Sequence, residues 1–232
     1  MGIRRGSIST PIIADGLVFN MDAANRASYP AQRTFATAES GSCYNTLNTT
    51  QSGSFISDPT FTTNPSAWVF DGVDDYIDCG DSSIFDLSDL TFSVWINGST
   101  IGSYRRIASL GRNSGGIGWG IAFSATNPHG WWNDGSETSK KSSQSISIST
   151  WYNIVMTIES GPTINMYTDG ILTNGTSPAT GWGSTSDNFE IGRKAGGGQL
   201  WSGNIGTMQI YNRALSASEV LHNYNALKGR FV

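Results

Sequence analysis

The sequence predicts an all-β protein, an antiparallel sandwich or barrel with one short C-terminal helix and an N-terminal arm. Three observations carry that reading. Gly, Ser, Thr and Asn supply 99 of the 232 residues and only 14% are charged, a mixture that starves helices of Glu, Lys, Ala and Leu. Ile outnumbers Leu 21 to 10, and branching at Cβ favours strands. Apolar residues recur in short runs bounded by Gly, Asn, Pro or Ser, the spacing of antiparallel sandwiches and barrels. Hydrophobic residues at 38% with 8 Trp supply apolar surface for a core and argue against disorder.

Residues 1–14 contain Pro11 and no clear periodicity, so they read as an arm outside the core, disordered or pinned by a neighbour. Residues 15–232 form a single domain. Leu17, Phe19 and Met21 alternate with Val18 and Asn20, the period of a strand with one buried face. A short helical turn is expected over 22–29. Residues 30–65 read as a long variable loop region with short strands at an edge or interface. Trp68-Val69-Phe70 runs into the turn dipeptide Asp71-Gly72, and Tyr76-Ile77-Asp78-Cys79 follows as the returning strand of a hairpin.

The next strand, 90–96, sets Leu90, Phe92, Val94 and Ile96 on one face against Thr91, Ser93 and Trp95 on the other. Further strands are expected at 106–110, 118–124, 151–159, 164–169, 189–192 and 203–211. At 216–227, Ser216 and Glu219 form a Ser-x-x-Glu capping box, and Val220, Leu221, Tyr224 and Leu227 repeat at helical spacing. No repeat of solenoid length and no linker between periodic halves interrupts the chain.

The net charge is -4 with 14 basic residues scattered along the chain, without the stripe that would neutralise a phosphate backbone. Nucleic acid is therefore excluded as a partner. No apolar run of signal-peptide length follows Arg4 and Arg5, and none reaches the roughly 20 residues of a membrane span, which predicts a soluble chain without a membrane partner. Cys43 and Cys79 match neither a disulfide framework nor a zinc site, so free thiols are expected. The triplets at Asn48, Asn97 and Asn174 are weak glycosylation signals in so Asn-, Ser- and Thr-rich a chain.

Seven of the 18 acidic residues fall within 71–89. Asp71, Asp74 and Asp75 are the tightest group and the calcium candidates, since calcium takes about six to eight oxygen ligands. Their spacing is not that of an EF-hand loop, and turn and solubility roles are the alternative; no other cofactor is implied. The segment Pro128-His129-Gly130-Trp131-Trp132-Asn133-Asp134-Gly135, read as a loop, sets two indoles beside amide and carboxylate groups. Trp131, Trp132, Asn133 and Asp134 are thus candidates for sugar stacking and hydroxyl recognition or for subunit contact. If the segment is extended, the rings point to opposite faces and one of them can stand exposed.

His129 and His222 lie near no nucleophile phrase such as Gly-x-Ser-x-Gly. Arg105-Arg106 and Lys140-Lys141 read as solvated turns. Ala195-Gly196-Gly197-Gly198 reads as a flexible loop rather than a phosphate cradle.

Several phrases carry a resemblance. Phe70-Asp71-Gly72-Val73-Asp74-Asp75-Tyr76, the strand at 90–96, Trp151-Tyr152-Asn153-Ile154-Val155 with Asn165 to Gly170, and Gly203 to Ser216 follow one another as in the laminin G-like, concanavalin A-like jelly-roll domains. The resemblance covers about 66–226 and implies a two-sheet jelly-roll sandwich. Asp15-Gly16-Leu17-Val18-Phe19-Asn20-Met21-Asp22 with Ser28-Tyr29-Pro30, and Ser216 to Asn225, resemble the version of this domain in virion proteins of tailed bacteriophages of marine and cyanobacterial hosts.

What the resemblance implies is a non-enzymatic structural protein of a phage particle. A capsid decoration or cement protein is the first expectation, and a tail-fibre or host-glycan-binding protein the alternative. Its partners would be the major capsid protein or tail proteins, further copies of itself and host surface glycan. Its location would be the virion, assembled in the cytoplasm of the infected bacterium.

The sequence departs from the wider family at two chemical points. Relatives that hold calcium use a phrase like Gly-x-Ile-Asp-Glu, whereas this chain has Gly203-Asn204-Ile205-Gly206-Thr207. Glucanase relatives carry Glu-x-Asp-x-x-Glu, and Glu39, Glu137, Glu159, Glu190 and Glu219 lie in no such phrase. A non-catalytic protein is expected.

Overall fold

A computed structural model describes residues 11–30, 41–48, 50–102, 104–111, 117–134, 137–159, 163–174 and 185–232, without the side chains of Asp134 and Glu137. The strands among them are, in order, β1 (Leu17–Asp22), β2 (Ser42–Tyr44), β3 (Ser52–Ile56), β4 (Thr60–Thr63), β5 (Ser66–Asp71), β6 (Tyr76–Asp78), β7 (Leu90–Gly98) and β8 (Arg106–Gly111). They continue as β9 (Ile117–Ser124), β10 (Asn127–Asp134), β11 (Glu137–Lys141), β12 (Trp151–Glu159), β13 (Thr163–Thr168), β14 (Ile171–Asn174), β15 (Phe189–Ile191) and β16 (Ser202–Tyr211). One helix, α1 (Ala217–Leu227), follows.

The strands make two antiparallel sheets, as a jelly-roll sandwich requires. The first runs β14-β13-β12-β7-β16-β5-β4, with β1 also on β16. β5 pairs with Ser202 to Ile205 of β16 and β1 with Thr207 to Tyr211, so the two divide one side of that strand. The second runs β11-β10-β9-β8-β15-β6-β3-β2. The inner faces enclose one core containing Phe19, Phe85, Phe92, Trp119 and Phe189, with Phe85 and Phe189 4.6 Å apart between ring centroids. The alternation expected of β7 holds, with Leu90, Phe92, Val94 and Ile96 in this core and Trp95 in a separate cluster under α1.

The variable region is more regular than its composition suggests. It contributes β2 and β3 at one edge of the second sheet and β4 at an edge of the first. Residues 31–40 lie outside the described residues. The expected hairpin at Asp71-Gly72 is corrected: β5 pairs with β4 and β16, while β6 pairs with β3 and β15, so this turn carries the chain from one sheet to the other. Gly72 has φ +80°, and a Cβ there would sit 2.6 Å from Ser202 Cβ, so the crossing needs glycine for its conformation and for the close approach of β16. Over 22–29 the chain makes turns without a helix, closed by the Tyr29 N–H on the Asn25 carbonyl at 2.8 Å.

α1 lies on the outer face of the first sheet. Its capping box forms as the sequence requires, with the Ser216 hydroxyl accepting from the Glu219 N–H and the Glu219 carboxylate accepting from the Ser216 N–H. Val220 packs with Val155, Tyr167, Tyr211 and Leu215, and Tyr224 and Leu227 pack against Trp95, Trp151 and Phe231. Leu221, expected in the apolar stripe, is instead exposed, and Asn223 takes a buried position. There Asn223 donates to the Tyr211 hydroxyl and accepts from the Ile13 N–H at 2.8 Å. The end of the arm is thus pinned by the chain's own helix; residues 1–10 lie outside the described residues.

Cys43 is buried, Cys79 is half-buried, and both are free thiols; burial pushes the Cys43 thiol up to about 12. Among the described residues no helix is long and apolar enough to cross a membrane.

Candidate functional site

The segment carrying the two adjacent tryptophans is a strand, β10, paired residue by residue with β9 and β11. Trp131 and Trp132 therefore point to opposite faces, and both rings are nevertheless buried, at 0% and 3% exposure. Trp132 enters the core between the sheets, where it pairs across strands with Trp119. Trp131 lies on the outer face, opposite Gly120 of β9, with the Arg106 guanidinium stacked over it at 4.8 Å. The expectation that one ring offers a face to solvent is corrected: a cation covers the outer ring. Asn133 is buried on the same outer face, and the side chain of Asp134 lies outside the described residues.

Arg106, expected in a solvated turn, is 1% exposed. Its Nε donates to Gln199 Oε1 at 2.9 Å, and its backbone N–H donates to the Gln199 carbonyl. The loop after β15 thus closes over this face, with Ala195 N–H on Ser109 Oγ at 2.9 Å. Arg193 makes a two-pronged ion pair with Glu190 and stacks over Tyr76 at 3.4 Å. His129, on the same face, is held down at about 4 by burial, reinforced by the charges of Arg106 and Lys141. Among the described residues this face is covered by Arg106 and the loop after β15, although the buried Trp131 Nε1 finds no acceptor there.

The structure does bring Asp71, Asp74 and Asp75 together, with one carboxylate oxygen of each within 4.8 Å of the others, the one such group among the described residues. The oxygens suit a hard cation in kind. They are already engaged, however: Asp71 Oδ1 accepts from the Val73 and Asp74 N–H groups, and Asp75 Oδ2 accepts from the Asp71 N–H at 2.8 Å. With Asp71 and Asp75 so used, the three carboxylates supply fewer free oxygens than the about six to eight that calcium takes. Asp75 is buried and pushed up to about 6, first by that burial and then, against its bond to the Asp71 N–H, by the charges of Asp71, Asp74 and Asp58. The missing carboxylate at Gly206 also has a structural reason. A Cβ there would sit 2.4 Å from the Phe231 ring, so the C-terminal residues occupy the space.

A third place was not signalled by the sequence. On the outer face of the first sheet, between the end of the arm, β1, β16 and the end of α1, lies a cavity of about 390 Å³ lined by Pro11, Ile12, Asn20, Asp22, Gln209, Ala226, Leu227 and Arg230. Asn20 and Gln209 are cross-strand partners. Arg230 grips Asp22 with two hydrogen bonds of 2.7 and 2.9 Å. The available clue was polar residues alternating with core residues in β1 and β16, but these lie nearly 190 positions apart.

The chain belongs to the concanavalin A-like lectin/glucanases superfamily, whose laminin G-like branch matches residues 71–221. Three solved structures share its fold. Domain 4 of the extracellular arabinanase AbnA from Geobacillus stearothermophilus, in complex with arabinotriose, is 13% identical with a TM-score of 0.67, over 90% of this chain and 98% of that one. The binding domain of Paraclostridial Mosquitocidal Protein 1 is 16% identical with a TM-score of 0.69, over 91% of this chain and 52% of that one. Trypanosoma rangeli sialidase in complex with sialic acid is 15% identical with a TM-score of 0.67, over 97% and 36%. The chain therefore spans about half of the toxin binding domain and about a third of the sialidase. No curated protein matches the sequence.

Proposed function

We propose that the protein is a non-enzymatic module that binds carbohydrate. Membership of the lectin/glucanase superfamily is the observation that carries this reading. It is supported by the likeness to the arabinanase domain, which the chain spans almost entirely and which is in complex with arabinotriose. The state of two glutamates supports a binding role over hydrolysis. Glycoside cleavage uses two carboxyl groups about 5 to 9.5 Å apart, whereas Glu190 is clamped by Arg193, and Glu219 by Arg213 and its capping box.

The test is an array of neutral oligosaccharides and bacterial surface polysaccharides, read for binding and for release of reducing sugar. Binding without release is expected. Release of reducing sugar would overturn the non-enzymatic reading, and silence across the array would overturn the carbohydrate reading.

A second reading is a structural protein of a bacteriophage particle, for which one observation supports the subunit contact that such a role requires. Ile171 and Leu172 on edge strand β14 and Leu221 on the adjoining helix are all exposed, and Leu221 reaches the turn at Gly170. Exposed apolar groups beside a strand that ends its sheet among the described residues suit contact with another subunit. In this reading the protein decorates the capsid or forms part of a tail, packs against copies of itself and against capsid or tail proteins, and resides in the virion. Its absence from purified particles by mass spectrometry would sink this reading.

A further inference from the structure

Away from the acidic turn and the cavity under α1, two cysteines and a methionine meet in the core between the sheets. Cys43 in β2 and Cys79, the residue after β6, lie on either side of β3. Both lean over Gly53, the cross-strand partner of Cys43, since a Cβ there would sit 3.1 Å from each Sγ atom. The two sulfurs therefore lie no further apart than twice that distance. Met21 reaches them from β1 in the other sheet, its Sδ accepting from the Cys43 thiol at 3.4 Å. The same thiol also faces the Gly53 carbonyl at 3.6 Å. Met21 and Cys43 are 0% exposed, and Cys79 is half-buried.

The sheet geometry excludes a disulfide. β3 stands between the two strands, so the Cα atoms are two strand spacings apart, about 9 to 10 Å. A disulfide needs about 4.4 to 6.8 Å, so both thiols stay free in the folded chain. The donor set also argues against hard ions, because calcium and magnesium take oxygen. Structural zinc is held by four ligands, whereas three sulfurs meet here and one of them is a neutral thioether. Thiolate and thioether donors suit monovalent copper. Cu(I) with one thiolate is neutral, which matters in a buried place where a net charge is costly.

We infer that Met21, Cys43 and Cys79 form a binding site for Cu(I) that ties the first sheet to the second through sulfur. On binding, the Cys43 thiol gives its proton to water and its sulfur bonds the metal, with Met21 and Cys79 completing the shell. Copper stays Cu(I) and nothing is oxidised. Ile77 Cγ2 lies 2.4 Å from the place of the Gly53 Cβ, so the ion turns that methyl aside as it enters from the half-buried Cys79 side. The inference is independent of the carbohydrate reading.

The test titrates the reduced 232-residue chain, without oxygen, with Cu(I) carried by the coloured chelator bicinchoninate, and follows the loss of colour. Withdrawal of one copper per chain is expected, with X-ray absorption showing a shell of sulfur alone. Copper should also raise the unfolding temperature of the parent, as a ligand of the folded state does. Cys43→Ser should abolish both effects. Because Cys43 is buried and that change strains the core, Met21→Leu and Cys79→Ser are the further variants. Met21→Leu keeps the apolar volume, and each of the two should weaken binding about tenfold or more.

No withdrawal of copper by the parent, or nitrogen or oxygen donors in the metal's shell, would overturn the assignment. Binding unchanged in Met21→Leu would overturn it as well, by reducing the site to adventitious capture by thiols. Zn(II) held as tightly as Cu(I) would overturn the choice of a soft monovalent ion.

Discussion

Trp131 shows how a residue that looks like a ligand contact can be a structural one. Its ring is buried beneath Arg106 on the outer face of the second sheet, so its removal leaves a hole and an uncovered guanidinium. Trp131→Ala is expected to lower unfolding free energy by about 3 to 5 kcal/mol, read by urea denaturation, without a selective loss of carbohydrate binding. The sequence could show that two adjacent indoles diverge if extended. It could not show that a cation 25 positions earlier would close over one of them.

His129 and Asp75 also act at this scale, and with opposite signs. The folded His129 titrates at about 4 rather than 6.5, so the unfolded chain binds the extra proton and its contribution to stability is lost as pH falls from 6.5 to 4. The folded Asp75 titrates at about 6 rather than 3.8, so its contribution is lost as pH rises through that window. His129→Gln should flatten the acid-side loss, and Asp75→Asn should remove the fall between pH 4 and 6. Denaturation midpoints at unit pH intervals read both. Unchanged profiles would contradict the burial assigned to these groups.

Among the elements, those with one face in the core were legible. β7 and β12 alternate cleanly because one set of side chains enters the core and the other meets α1, a neighbouring loop or solvent. β16 bulges between Ile205 and Met208, and β1 bulges between Leu17 and Phe19, so Leu17, expected on the core face with Phe19 and Met21, joins the cluster under α1 while Val18 packs on the core. β10, β11 and β14 were missed for a physical reason. Pro128 and Gly130 break the strand pattern of the β10 sequence without breaking the strand, Gly130 because Met156 and Met166 crowd the place of a side chain, and β11 and β14 are short edge strands with polar or exposed residues.

The turn at Asp71-Gly72 was recognised as a turn, yet its partner strand lies in the other sheet, a choice made by long-range pairing. The helix was the most legible element, since its start is written in Ser216 and Glu219. Ser216→Ala should cost about 1 kcal/mol, measured by denaturant midpoint at pH 7. Arg213 first, then Ser216, hold Glu219 at about 2, so that contribution is complete above pH 4.5 and is lost as pH falls toward 2. A Ser216→Ala variant as stable as the parent would contradict the cap.

For the whole molecule, the two-sheet sandwich followed from composition, short strands and four phrases in order, and the family match agrees with it over residues 71–221. The candidate cavity did not follow, because its parts come from the start of the domain, the last strand and the residue run after the helix. Asn20, Gln209 and Arg230 meet only when β1 lies beside β16 and the C-terminal residues fold back, with Arg230 reaching Asp22 and Phe231 stacked 4.5 Å from Trp95. Polar residues at these positions look like ordinary outward-facing strand residues until the helix covers them.

The central claim is that this sandwich binds carbohydrate without cleaving it. Its most direct test is calorimetric titration of the 232-residue chain with arabinotriose and with the oligosaccharides that score on the array. Saturable heat and recovery of the intact sugar are the predicted result. No heat with any neutral oligosaccharide, or a shortened sugar after incubation, would contradict it.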